Sequence, residues 1–152
     1  MKKRLSEAIT KLYAAYDTGN LHPECSCTCA VGTILDGRKD WTHLQTSHGS
    51  LQLSRLGLLH QNLNRKFNGY TPHELMQIET VFLEGCGYEL PLNYKFHRPS
   101  KNEINSKLFL ALDRTIDFLY ALDGEKRGEN LHRKANLNSV PRAKRLQDFL
   151  TI

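Results

Sequence analysis

Residues 50–86 read SLQLSRLGLLHQNLNRKFNGYTPHELMQIETVFLEGC, and the fold turns on how this stretch divides. Leu53, Leu56, Leu59, Leu63 and Phe67 recur at helical spacing, so one helix is expected from Ser50 to about Phe67 with those five on its inner face. Asn68-Gly69 ends it. Thr71-Pro72-His73-Glu74 opens the next helix. Thr71 can cap, Pro72 has the φ wanted at the first helical position, and Glu74 can close a capping box. Leu75, Ile78 and Phe82 follow on one face, and Gly85-Cys86-Gly87 stops the run. The stretch is thus expected to be two antiparallel helices hinged at Gly69.

Two polar residues break the apolar stripes. At ~100° per residue, His60 falls among Leu56, Leu59, Leu63 and Phe67, and Glu79 falls among Leu75, Ile78, Phe82 and Cys86. They lie at similar distances from Gly69, hence at similar heights in an antiparallel pair. His60 and Glu79 are therefore expected to meet in the core, because burying either alone is costly. Such a pair either fixes helix register or forms a proton-transfer or metal site. His48 and Cys86 should lie one or two turns further from the hinge and extend it.

Working outward, Leu5, Ile9, Leu12, Tyr13 and Tyr16 mark a first helix from Lys2 to Asp17, stopped by Gly19. Ala30, Val31, Ile34 and Leu35 suggest a short buried helix ending at Asp36-Gly37. Its small residues, Ala30 and Gly32, invite a close neighbour. Trp41 and Leu44 should anchor the loop that follows. Beyond residue 86, Tyr88, Leu90, Leu92, Tyr94 and Phe96 alternate briefly. Ser100-Lys101-Asn102-Glu103 then reads as a second capping box opening the longest helix, through Leu108, Leu112, Ile116, Leu119 and Leu122. The expected fold is all-α: one bundle of about five helices over residues 1–123, then a basic polar tail, 124–152. Pro141 could start a last amphipathic piece with Leu146, Phe149 and Leu150.

The chain has 152 residues, enough for one core without staples. It carries 21 Lys and Arg against 16 Asp and Glu, a net charge of +5. The excess sits in the tail, at Lys126, Arg127, Arg133, Lys134, Arg142, Lys144 and Arg145. Those cations could meet nucleic acid. No run approaches the ~20 apolar residues of a membrane span. Leu5–Tyr16 is too polar for a signal peptide, so a cytoplasmic location is expected.

Three of the 4 cysteines, Cys25, Cys27 and Cys29, crowd together without a secretory signal. That argues for thiols or metal ligation over a disulfide framework. With His22 they offer four soft or borderline ligands, suited to Zn or Cu(I), although C-x-C-x-C is not the usual C-x2-C knuckle. Alternatively, Cys29 is a small buried residue opening a helix and the other two are exposed loop thiols. A redox role would need a lowered thiol pKa, which a helix N-terminus at Cys29 could supply.

The stretches Cys29-Ala30-Val31-Gly32, His48-Gly49-Ser50-Leu51-Gln52-Leu53, Phe67-Asn68-Gly69-Tyr70, Gly85-Cys86-Gly87-Tyr88 and Pro91-Leu92-Asn93-Tyr94-Lys95 resemble a family of short bacterial proteins. Its members often carry the label of the F subunit of the sodium-translocating NADH–quinone reductase. The resemblance covers roughly residues 1–123. That subunit resembles a plant-type ferredoxin fused to a flavin reductase, and its chemistry does not follow here. The thiols are too close for C-x5-C-x2-C, and no Gly-rich dinucleotide turn follows a strand. We read the label as inherited.

Three functions stay open. One is an interaction or accessory protein without catalysis, since no G-x-S-x-G or G-x-x-x-x-G-K is present. Another is a metal-binding or redox protein using Cys25–Cys29 or His60–Glu79. The third is a nucleic-acid binder using the tail.

Overall fold

The computed structural model describes residues 2–38, 40–91 and 98–127. It is all-α: helices α1 (Lys3–Asp17), α2 (Ala30–Ile34), α3 (Arg55–Asn62), α4 (Pro72–Gly85) and α5 (Lys101–Leu122), with a 3-10 turn at Asp40–Leu44. Among the described residues there is no strand, only isolated bridges between Gln45 and Leu53 and between Phe67 and Tyr70. Leu92, Tyr94 and Phe96 of the alternating stretch lie outside the described residues, as do Arg133, Lys134, Arg142, Lys144, Arg145 and the piece after Pro141.

The core forms where the periodicity puts it on α1, α4 and α5. Leu5 and Leu12, Leu75, Ile78 and Phe82, and Leu112, Ile116 and Leu119 are all buried. Each contributes roughly 1.5–3 kcal/mol when fully removed from water. Thr71 and Glu74 complete the capping box of α4. Ser100 makes half of one, accepting from Glu103 N at 3.1 Å, while the Glu103 carboxylate takes Lys107 Nζ at 2.9 Å. The α4–α5 contact is close because Gly85 lacks a side chain; a Cβ there would sit 2.7 Å from Ala111 Cα. Trp41 and Leu44 are buried, as the loop they anchor requires.

The stretch expected as the third helix departs from its pattern. Instead of Ser50 to Phe67, α3 covers Arg55–Asn62. Ser54 caps its start, its Oγ accepting from Gly57 N at 3.0 Å. Asn64, at φ 55°, ends it. Phe67 and Tyr70 then exchange backbone hydrogen bonds of 2.7 and 3.0 Å around Asn68-Gly69. With φ at 51° and 92°, this is the tight Asn-Gly turn of a hairpin rather than a helix end. The orientation of α3 differs too. Its buried residue is Gly57, packed so tightly that a Cβ would fall 2.0 Å from Leu44 O. The expected inner leucines Leu56, Leu59 and Leu63 therefore face outward, 44–54% exposed. A glycine face that fits against backbone prevails here over a leucine stripe.

Arg4 ties the hinge to the rest of the bundle. It donates to Gly69 O at 2.7 Å, Glu74 Oε1 at 3.0 Å and Asp123 Oδ1 at 2.7 Å, and lies over the Tyr70 ring at 4.5 Å. At the other margin Arg127 pairs with Asp113 at 2.8 Å and Asp117 at 2.7 Å, and donates to Tyr13 OH at 3.2 Å. The packed bundle thus reaches at least Arg127, beyond the expected boundary at 123. With its side chain 9% exposed, Arg127, one of the cations of the expected tail, is engaged in the fold. Lys126 beside it is exposed.

Candidate metal centre

Glu79 enters the core from the middle of α4, one position past Ile78 and a turn before Phe82. Its burial is as expected: the side chain is 2% exposed. The histidine that meets it is not. His60 lies half-buried on α3, with Nδ1 3.5 Å from Arg65 Nη1 and its ring edge-on to Phe67 at 5.6 Å. The rotation that turns Gly57 inward and the shortness of α3 together remove His60 from the register that equal distance from Gly69 implied. His48, read from sequence only as an extension, takes the place beside Glu79, with Nε2 3.6 Å from Oε2.

Three separate pieces of chain position the site. The loop between the 3-10 turn and α3 delivers His48, whose Nε2 is also 3.2 Å from Pro23 O and whose ring meets Trp41 edge-on at 6.0 Å. The first turn of α2 delivers Val31 N, which donates to Glu79 Oε1 at 3.2 Å. Cys29 is the N-cap of α2: its Sγ accepts from Gly32 N at 3.4 Å and lies 3.4 Å from Ser26 O. The small residues of α2 serve this junction. A Cβ on Gly32 would come within 2.2 Å of Ser26 O, so the glycine admits a tight turn of backbone rather than another helix.

The donor atoms of Cys29, His48 and Glu79 all lie within 4.8 Å of one another. Two buried polar atoms there, Glu79 Oε2 and His48 Nδ1, have no hydrogen-bond partner among the described residues. Burial raises the Glu79 carboxyl above its usual range, and His48, Cys29 and Val31 N only partly oppose this. Burial, then the neighbouring Glu79, pushes the Cys29 thiol well up. Burial, then Glu79, also pushes up the Cys86 thiol on the same helix. A protonated, enclosed thiol is a poor nucleophile.

The ligand set expected from His22, Cys25, Cys27 and Cys29 does not assemble. His22 is exposed, and its backbone N–H donates to Thr28 O. Cys25 and Cys27 turn toward each other, with Sγ atoms 2.9 Å apart. Cys29 turns inward to Glu79 instead, because capping α2 fixes its side chain. The lowered thiol is therefore Cys25, drawn down to about 7, first by its hydrogen bond with Cys27. Nothing in the spacing of Cys29, His48 and Glu79 announces them as a set, since each comes from a different element. The one legible signal was a carboxylate on an apolar face.

Among the described residues no helix is long and apolar enough to cross a membrane. Comparison with known proteins returned no match: no family model fits the chain, and no curated protein or solved structure is significantly similar to it.

Proposed function

We propose that the protein binds a divalent cation of the zinc class through Cys29, His48 and Glu79. The observation that carries this is the convergence of three different donor types on one buried point, with the Glu79 Oε2 atom hydrogen-bonded to no other group among the described residues. Charge selects the ion. A thiolate and a carboxylate with a neutral imidazole sum to two negative charges, which a dication cancels in an interior that penalises any residue of charge. Cu(I) would leave one negative charge over, and the hard cations Mg²⁺ and Ca²⁺ take all-oxygen sites. One pair stands near the spacing zinc needs: ligands of tetrahedral zinc are about 3.4–3.6 Å apart, His48 and Glu79 are 3.6 Å apart, and Cys29 Sγ lies within 4.8 Å of both. Binding would expel the Cys29 proton and hold α2, α4 and the His48 loop together.

The test is zinc stoichiometry by mass spectrometry of the native full chain, with Co²⁺ as a spectroscopic probe. One ion per chain and a thiolate-to-cobalt charge-transfer band are expected, both lost in Cys29→Ser and Glu79→Gln. Both should be retained in a Cys25→Ser, Cys27→Ser double variant. Retention in the first two variants, or loss in the double variant, would refute the assignment. Cys29 and His48 each open a stretch that carries the resemblance to the short bacterial family. We extend the proposal to members of that family that keep Cys29, His48 and Glu79.

A second reading is favoured by a separate observation. Leu56, Leu58, Leu59 and Leu63 expose a leucine face on α3, as an accessory module that docks a partner would. Leu58→Glu should abolish such docking while leaving the zinc stoichiometry unchanged.

A further inference from the structure

We infer that Cys25 and Cys27 form a second, separate site: a reversible dithiol whose co-substrate is a low-molecular-weight disulfide of the glutathione type. The inference does not depend on the metal proposal, because it uses neither His48 nor Glu79.

The turn that carries the pair is held from several sides. Thr28 N and Cys29 N both donate to Cys25 O, at 3.0 and 2.8 Å. Trp41 Nε1 donates to Ser26 O at 2.8 Å. Gly32 lets α2 press directly on this backbone, leaving no room for a Cβ within 2.6 Å of Cys27 C. The backbone therefore sets both side chains on one side of the turn, and their Sγ atoms stand 2.9 Å apart. A disulfide bond is about 2.05 Å long, so closing it requires less than an ångström of approach. Both residues are half-buried, accessible to a small reagent at the mouth of the turn, whereas Cys29 and Cys86 are enclosed.

The chemistry balances without further reactants. The Cys25 thiolate attacks one sulfur of the small disulfide, forming a mixed disulfide and releasing one small thiol. Cys27, losing its proton to solvent, attacks Cys25 Sγ and releases the second. One external disulfide is reduced to two thiols, and the Cys25–Cys27 disulfide takes its place. A ring closed over a single intervening residue gains little loop entropy. Bonds of that kind sit at the labile end of the range, which suits a sensor better than a staple.

The experiment equilibrates the full-length protein in glutathione redox buffers with EDTA present, quenches by acid, alkylates under denaturing conditions and maps the cysteines by mass spectrometry. As the buffer becomes oxidising, Cys25 and Cys27 should escape alkylation together, joined to each other, and dithiothreitol should restore both. Cys29 and Cys86 should stay alkylated throughout. Cys27→Ser should stop at glutathione attached to Cys25. Four alkylated cysteines under oxidising buffer would overturn the inference, as would a disulfide involving Cys29 or a second chain. So would a Cys27→Ser protein that accumulates no mixed disulfide. With EDTA present, failure here leaves the metal proposal standing, and failure of zinc binding leaves this one standing.

Discussion

Replacing Glu79 by Gln should stabilise the metal-free protein and destroy its response to zinc, and the two effects have opposite signs. In the wild type the carboxylate is enclosed. Oε1 is satisfied by Val31 N at 3.2 Å, and Oε2 has no hydrogen bond among the described residues, with His48 Nε2 standing off at 3.6 Å. An unmatched buried acceptor costs about 1–3 kcal/mol. An amide keeps the Val31 contact and removes the charge, so a gain of about that size is expected at neutral pH, near 1 M in urea midpoint. The pH dependence fixes the cause. Burial raises the folded-state carboxyl above its ordinary value of 4.5. Stability from the protonated group is then fully present below that unfolded value and is lost as pH rises through the folded one. Wild type and variant should coincide near pH 4 and separate above it. Of the groups facing Glu79, Cys29 capping α2 and Cys86 capping α4 are pushed toward their protonated forms by burial, and His48 from the loop stands 3.6 Å away. Zinc at a thousandfold over its dissociation constant adds about 4.1 kcal/mol to a protein that binds it. The order should therefore invert with metal, wild type becoming the more stable. Urea melts at pH 4 and 7.5, with EDTA or zinc, read all of this. A Gln variant less stable than wild type in EDTA at pH 7.5, or one gaining as much from zinc, would refute the reasoning.

Four further outcomes follow from the packing and the thiols. Gly57→Ala should destabilise by about 1–3 kcal/mol in urea melts despite alanine's better helix propensity, because its Cβ would meet Leu44 O at 2.0 Å. The nearby Leu59→Gln, on the exposed face, should stay within about 0.5 kcal/mol. Arg4→Met should cost about 3–5 kcal/mol by leaving Asp123 and Glu74 without their shared cation; a neutral result would show that the hinge does not depend on it. Cys25 should be alkylated by iodoacetamide with a pH midpoint of about 7, moving upward in Cys27→Ser, since the hydrogen bond between the two thiols is the main cause of the lowering.

What the sequence revealed followed the physics of each signal. The α4 start was readable to the residue because Thr71, Pro72 and Glu74 each act locally, and a capping box needs nothing from the rest of the fold. The stripes of α1, α4 and α5 were readable because those helices bury one face in the usual way. The stripe of α3 misled because periodicity says which residues share a face and not which face is buried. That choice was made by Gly57 fitting against the carbonyl of Leu44, a contact no local pattern encodes. Asn68-Gly69 reads as a helix stop when the leucine stripe is followed, yet the same dipeptide is a strong signal for a hairpin turn, and Phe67 and Tyr70 bridge across it. These two misreadings together moved His60 out of the site. Glu79 was found because a carboxylate among Ile78, Phe82 and Leu75 is anomalous wherever its partner comes from. His48 and Cys29 were recognisable as chemistry but not as partners.

The cost of Glu79 is itself the strongest argument that the site binds something. A register device would need only a carboxyl with both oxygens matched, and the chain has the means to supply that: on the hinge side, Glu74 Oε1 accepts from Thr71 N and Arg4 Nη1, and Oε2 accepts from Arg4 Nη2 at 3.3 Å. At Glu79 the fold instead leaves one oxygen bare, sets an imidazole at 3.6 Å rather than at hydrogen-bond length, and buries a thiol against the pair. Each choice is poor for an empty core and good for a cation between the three. The α2 helix points the same way. Only five residues long, it is too short to be stable by itself, yet its first turn places both Val31 N and Cys29 on the carboxylate. A metal that neutralised Glu79 and drew Cys29 and His48 together would remove the penalty and fasten α2 in one step.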